Sequence, residues 1–196
     1  MQKSYLFDLI AVVRGVLEDD DLPIIVGSQA IFAQTDDIPR IVRESRECDF
    51  LIFRQTAQRE KVNSDFGVFS DFADEKGYYA DALGLASVVL PIGWDERLEP
   101  LRDNDGEIVA KCLEIHDLAA SKIAAGRPKD LEFLEAGFSS GLFSIDKFLE
   151  RSLLIRSKLE NDALKDRFMR LLDHLKLHNA EFVVIQELRE FIRKNL

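Results

Sequence analysis

A chain of 196 residues, 46% hydrophobic and 32% charged, has the make-up of a globular protein, with one generous domain or a main domain and a smaller appendage. Its formal charge of −10 weighs against a broad phosphate-binding surface, and no apolar run approaches the roughly 18 residues that span a bilayer. The two cysteines, Cys48 and Cys112, imply no disulfide framework and suit a reducing cytoplasm, where the protein is expected to work away from membranes.

In chain order, residues 3–19 place Leu6, Leu9, Ile10, Val13 and Leu17 at helical spacing, and acids follow at once, so this start reads as a helix and not as a signal peptide. Asp19, Asp20 and Asp21 end it, and Pro23 opens a short buried strand to Val26. Gly27 and Ser28 turn the chain into a helix over 29–34, and "TDDIPRIVRESR" is a loop. Residues 48–53, rich in aromatic and aliphatic side chains, form the second strand. A polar helix runs from Thr56 towards Phe66, ahead of a loop around "FADEKGYY". Strands are expected over 78–83, 86–90 and 108–115, with "LPIGWDERLEP" as a turn in which Trp94 and Arg97 are structural. His116 and Asp117 begin a helix that Gly126 ends, and Pro128 starts another that Gly137 closes. From Ser144 onward, apolar residues recur at intervals of three and four through "SIDKFLERSLLI", "NDALKDRFMRLLDHLKL" and "FVVIQELREFIRKNL", so the remainder is helical. The pattern predicts an α+β protein: a small mixed β-sheet with flanking helices, followed by an all-helical C-terminal part that packs on it or forms a small bundle.

The second strand begins "ECDF". Alternate strand residues share a face, so Glu47 and Asp49 project together while Cys48 and Phe50 turn to the core. Two carboxylates side by side repel unless a cation lies between them, and hard oxygen donors of this kind suit Mg²⁺ together with phosphate oxygens. Such a pair is also common on plain surface strands. Gly27 and Ser28 add a second signal: a close approach to the backbone, free N–H groups at a helix start, and a hydroxyl placed for a phosphate. Ser28 as a simple helix cap is the plainer reading. A carboxylate pair and a phosphate cradle on neighbouring strands would together form a nucleotide–metal site. Arg40, Arg43, Arg46, Arg54, Arg59 and Lys61 crowd near the acids, where solvated faces account for most of them. His116, His174 and His178 are too dispersed for a zinc site; His174 and His178 stand at i, i+4, yet no acidic third ligand is evident. Cys48 and Cys112 read as buried strand residues without an activating His.

"VGSQAIF" followed by the acids of "ECD" resembles the defining pattern of the nucleotidyltransferase superfamily with the DNA polymerase beta-like palm: strand, Gly-Ser or Gly-Gly, helix, then an acid-hydrophobic-acid strand. "HDLAASKIAAGRPKDLEFL" resembles the lysine-and-arginine helix of the minimal nucleotidyltransferases related to abortive-infection and toxin–antitoxin toxins. Residues 90–98, "LPIGWDERL", are similar to a segment of a bacterial family of unknown function in that group. The resemblance spans roughly residues 20–136 and implies a palm domain over 1–136 ahead of a helical region over 137–196.

The activity so implied is Mg²⁺-dependent transfer of a nucleoside monophosphate from a nucleoside triphosphate to an acceptor hydroxyl on tRNA, protein or a small molecule, with an antitoxin as partner. Residue by residue, Glu47 and Asp49 would hold the metal; Asp is more usual at the first position, and the longer arm of Glu shifts the ion. Gly27 and Ser28 would grip the β- and γ-phosphates, Lys122 would reach a phosphate as a point charge, and Arg127 would do so bidentately. Lys129 and Asp130 would order that corner through an ion pair. The resemblance also calls for a third carboxylate, for which Glu114 and Asp130 both stand as candidates. The competing reading is a fold of this kind that has lost turnover and acts as a nucleotide- or partner-binding module.

Overall fold

The computed structural model describes residues 1–17, 21–37, 40, 44–155, 159 and 161–196, so Asp19, Asp20 and Arg43 lie outside the described residues. Two compact units emerge: residues 1–88 with 95–114, and residues 89–94 with 115–196.

The first unit is built on a mixed five-stranded sheet. Helix α1 (Lys3–Arg14) buries Leu6, Leu9, Ile10 and Val13, as its spacing predicts. After β1 (Ile24–Ile25) comes a 3₁₀ turn (Ser28–Ala33) where the sequence suggests an α-helix, then β2 (Glu47–Leu51), α2 (Thr56–Phe66), α3 (Asp71–Lys76), β3 (Tyr79–Leu83), β4 (Glu99–Arg102) and β5 (Ile108–Cys112). The strand order is β3-β2-β1-β5-β4. β1 pairs antiparallel with β2 and parallel with β5, β2 pairs parallel with β3, and β4 pairs antiparallel with β5. The buried face takes Ile25, Cys48, Phe50, Ala80, Ala110 and Cys112.

Three departures from the expected elements have local causes. The loop expected at "FADEKGYY" contains α3: the Ser70 hydroxyl accepts from the Ala73 N–H at 3.1 Å, and Gly77, at φ 77°, closes the helix in the left-handed region. No strand forms at 86–90; the chain instead makes a 3₁₀ turn at Leu85–Ser87. A strand does form at Glu99–Arg102, despite Pro100, because β4 is the sheet edge, where a missing N–H is tolerated. Its hairpin to β5 is organised by Asp103, whose Oδ1 accepts from the N–H groups of Asp105 at 3.0 Å and Glu107 at 2.9 Å.

The opposite edge is covered differently. Asn63 on α2 donates to the Ala82 carbonyl at 3.0 Å and accepts from the Ala82 N–H at 2.7 Å, so its amide stands where another strand would pair with β3. Tyr78, just before β3, stacks on Tyr5 of α1 with centroids 4.5 Å apart and donates its hydroxyl to Asp8 at 2.7 Å.

The second unit is helical: α4 (Ile115–Ala125), α5 (Pro128–Ser139), α6 (Ile145–Leu153), α7 (Asn161–Leu177) and α8 (Phe182–Asn195). The boundary expected after residue 136 falls inside α5. Helix α4 is central, with eight of its residues buried, from Ile115 to Ala124. Around it runs a chain of rings, Phe133–Phe143–Phe138–Phe148–Phe168–Phe191, with successive centroids 5.0 to 5.8 Å apart. Gly137 does not end α5 but sits within it, because a Cβ there would lie 1.8 Å from the Phe143 ring. Among the described residues no helix is long and apolar enough to cross a membrane.

Candidate active site

Strand β2 alternates as the sequence pattern requires. Cys48 and Phe50 are fully buried, and Glu47 and Asp49 lie half-buried on the other face. Burial pushes the Cys48 thiol far above its ordinary range, with the charges of Asp49, Cys112 and Glu47 adding to it, so this cysteine is no nucleophile. Cys112 is likewise pushed up by burial, to about 12.

Parallel pairing with β3 sets Glu47 opposite Tyr79 and Asp49 opposite Asp81. Paired residues of neighbouring strands share a face and stand about 5 Å apart at the backbone. Asp81 therefore joins the acidic face, half-buried between the buried Ala80 and Ala82. Tyr79 completes it: its hydroxyl donates to Glu47 Oε2 at 3.0 Å. Burial raises the Tyr79 phenol to about 12, helped by the charges of Glu47, Asp81 and Asp49.

On its other flank β2 meets the Gly27 turn. The Val26 N–H donates to the Asp49 carbonyl at 3.0 Å, and Gly27 follows in extended backbone, φ −91°. A Cβ on Gly27 would lie 1.7 Å from Asp49 Oδ2 and 2.8 Å from Asp49 Cβ. Glycine is required here because the Asp49 side chain lies where any other side chain would begin. Ser28, half-buried, opens the 3₁₀ turn beside it. A turn of six residues carries little macrodipole, so any hold on an anion at this point rests on local N–H groups and the Ser28 hydroxyl.

Within the helical unit, Lys122, Arg127 and Asp130 come together. Asp130 is fully buried, with Oδ1 3.2 Å from Lys122 Nζ and Oδ2 2.7 Å from Arg127 Nε. The Arg127 backbone N–H also donates to Asp130 Oδ2 at 3.1 Å. Burial by itself would raise the Asp130 carboxyl; the Arg127 hydrogen bond and the charges of Lys122 and Arg127 outweigh it and hold the group below its ordinary value. Lys122 also lies over the Phe133 ring at 5.3 Å. Asp130, expected to pair with Lys129, is held by Arg127 and Lys122. Asp130 is engaged as the counter-ion of two cations.

Glu114 follows β5 in the first unit, and β1 lies between β5 and β2. Neither Glu114 nor Asp130 is the carboxylate that β2 pairing brings beside Asp49; that residue is Asp81. "YADAL" repeats the arrangement of "ECDFL", an acid bracketed by two buried apolar residues, and that likeness was the available signal.

Four of the basic residues near the acids have local partners: Arg40 with Glu44 at 2.6 Å, Arg54 with Asp21 at 3.0 Å, Lys61 with Asp65 at 2.6 Å, and Arg46 on the Gly77 carbonyl at 2.6 Å. His116 is structural, its Nε2 accepting from the Ser144 N–H at 3.1 Å. The expectation that His174 and His178 lack an acidic companion is overturned, since Glu135 of α5 reaches both rings.

Comparison with known proteins gives one family. The model of a family described as "Nucleotidyltransferase of unknown function (DUF6036)" matches residues 4–176. No curated protein and no solved structure matches the chain.

Proposed function

The chain belongs to this family of nucleotidyltransferases of unknown function, and we propose that it moves a nucleoside monophosphate from a nucleoside triphosphate to an acceptor hydroxyl at the face formed by Glu47, Asp49 and Asp81. The observation that carries the reading is the seating of Asp49 against Gly27 on one side and in register with Asp81 on the other. Half-buried carboxylates beside a glycine turn are hard-oxygen donors of the kind Mg²⁺ takes, one or two at a time with phosphate oxygens completing the shell; the three are not drawn within 4.8 Å of one another. Glu47, Asp49 and Asp81 would hold the ion, which when bound neutralises phosphate charge and favours deprotonation of the attacking hydroxyl.

The chain's own groups do the rest. Gly27 lets the Asp49 carboxylate lie directly against the turn, and the Ser28 hydroxyl with the adjoining N–H groups holds the terminal phosphates. Tyr79, by donating to Glu47, fixes the orientation of that carboxylate. Asp81 accepts the proton from the acceptor hydroxyl. The acceptor oxygen bonds to the α-phosphorus, the bond from that phosphorus to the bridging oxygen breaks, and pyrophosphate leaves. A protein or tRNA hydroxyl is the proposed acceptor, in a toxin-like role with an antitoxin as partner.

The test is transfer of label from each α-labelled nucleoside triphosphate, with Mg²⁺, to total RNA or protein. Wild type should transfer, and Asp49→Ala and Asp81→Asn should each lower the rate by about a hundredfold or more. Nucleotide binding by calorimetry with no transfer would leave a binding module in place of an enzyme. Full activity in Asp81→Asn would remove that residue from the scheme.

A further inference from the structure

The helical unit carries a second cluster that the transfer chemistry does not use. Glu135 on α5 faces His174 on α7 and His178 just beyond its end. Glu135 Oε2 lies 2.8 Å from His174 Nε2 and 3.1 Å from His178 Nδ1. The two imidazoles stack with centroids 4.4 Å apart and planes 20° apart, so their nitrogens converge on the same oxygen. Among the described residues this is the group of three potential ligands whose donor atoms all lie within 4.8 Å of one another.

We propose that Glu135, His174 and His178 form a binding site for a divalent transition metal of the Zn²⁺ class, which clamps α5 to α7. Histidines at i, i+4 lie on one helical face, the spacing by which a helix offers two nitrogen ligands to one ion. The carboxylate comes from a different helix, so binding joins two elements through one ion. Metal–ligand bonds of 2.0 to 2.2 Å in a tetrahedron put neighbouring donors about 3.3 Å apart. The observed separations of 2.8 and 3.1 Å need only a few tenths of an ångström of opening. Two imidazoles and one carboxylate are borderline donors, which favour Zn²⁺, Co²⁺ or Ni²⁺ over Mg²⁺. Side-chain exposures of 17% for His174, 25% for Glu135 and 43% for His178 leave a path for the ion and room for a solvent ligand. The cluster is separate from the carboxylates of β2 and β3, which are all-oxygen donors.

The experiment is titration of the tag-free, chelator-treated full chain with Zn²⁺ by calorimetry, and with Co²⁺ followed by visible absorption. Wild type should take up one saturable equivalent with nitrogen-ligand Co²⁺ bands, and excess Mg²⁺ should not displace it. His178→Ala and Glu135→Gln should each weaken that equivalent about a hundredfold or more, while Asp49→Ala leaves it intact. Circular dichroism on each variant confirms that the helices remain. Absence of a saturable equivalent, undiminished uptake in both variants, or loss of the signal in Asp49→Ala would overturn the proposal.

Discussion

Gly27 and Asp49 form the contact on which the proposed site turns, and each side of it makes a separate prediction. A methyl group at position 27 would overlap the Asp49 carboxylate, so Gly27→Ala has to rotate Asp49 or push β1 from β2. Overpacking of this kind costs about 1–3 kcal/mol, measurable by denaturant unfolding. In an Asp49→Ala background most of the clashing atoms are gone, and the cost should fall. An unchanged cost there would mean that glycine is needed for the backbone and not for the carboxylate. From the other side, Asp49 shares a half-buried face with Glu47 and Asp81, and like charges so placed repel. Asp49→Asn should therefore raise the melting temperature of the metal-free protein by about 2–4 °C, the shift that roughly 1 kcal/mol gives in a chain of this size. The same substitution should weaken nucleotide binding in Mg²⁺. A lower metal-free melting temperature would show that the acids do not strain one another.

At the scale of elements, the joint between α4 and α5 is held by one buried carboxylate and two cations. Asp130→Asn leaves Lys122 and Arg127 facing each other across a neutral group. Breaking a buried pair of this kind costs about 3–5 kcal/mol. The pH dependence has a definite sign. Asp130 titrates below its ordinary value of 3.8 in the folded protein, so its stabilisation is fully present above the unfolded value and is lost as pH falls through the folded one. The gap in unfolding free energy between wild type and Asp130→Asn should thus be widest near neutral pH and narrow below about pH 4. A gap independent of pH would assign the loss to shape and not to charge. Element types were legible where a local rule operates. "ECDFL" and "YADAL" alternate cleanly, and the C-terminal helices repeat at three and four. Helix α3 was also written locally, in Ser70 and Gly77, but the acids and aromatics around it obscured that signal. Strand β4 was not legible, because Pro100 argues against a strand unless the strand is known to be an edge. The same reason hid Asp81. Its place beside Asp49 depends on β3 pairing parallel to β2 in one register, a non-local fact that neither strand states alone. Glu135 was hidden similarly: its histidine companions are thirty-nine residues on in the nearer case, and only helix packing brings them together.

For the molecule as a whole, the match to one family over residues 4–176 takes in the sheet unit and most of the helical unit, well beyond the stretch to residue 136 that carries the resemblance in motif. The whole also carries 36 acidic against 26 basic side chains. That balance bears on the acceptor. A tRNA gripped along its backbone needs many unengaged cations, and each phosphate neutralised steepens the salt dependence of binding. Here Arg40, Arg54 and Lys61, close in sequence to the proposed site, already have carboxylate partners. An RNA acceptor would then touch the protein through few phosphates, presenting one terminal hydroxyl to the acidic face. Between about 50 and 200 mM salt, binding of such an RNA should weaken by no more than about tenfold, where six to ten phosphate contacts would cost about a thousandfold or more. Fluorescence anisotropy with labelled tRNA measures the slope directly. A steep slope would place a basic RNA-binding surface on this chain and weaken the case for a protein or small-molecule acceptor. A shallow slope with efficient labelling of protein would point to a polypeptide hydroxyl as the nucleophile.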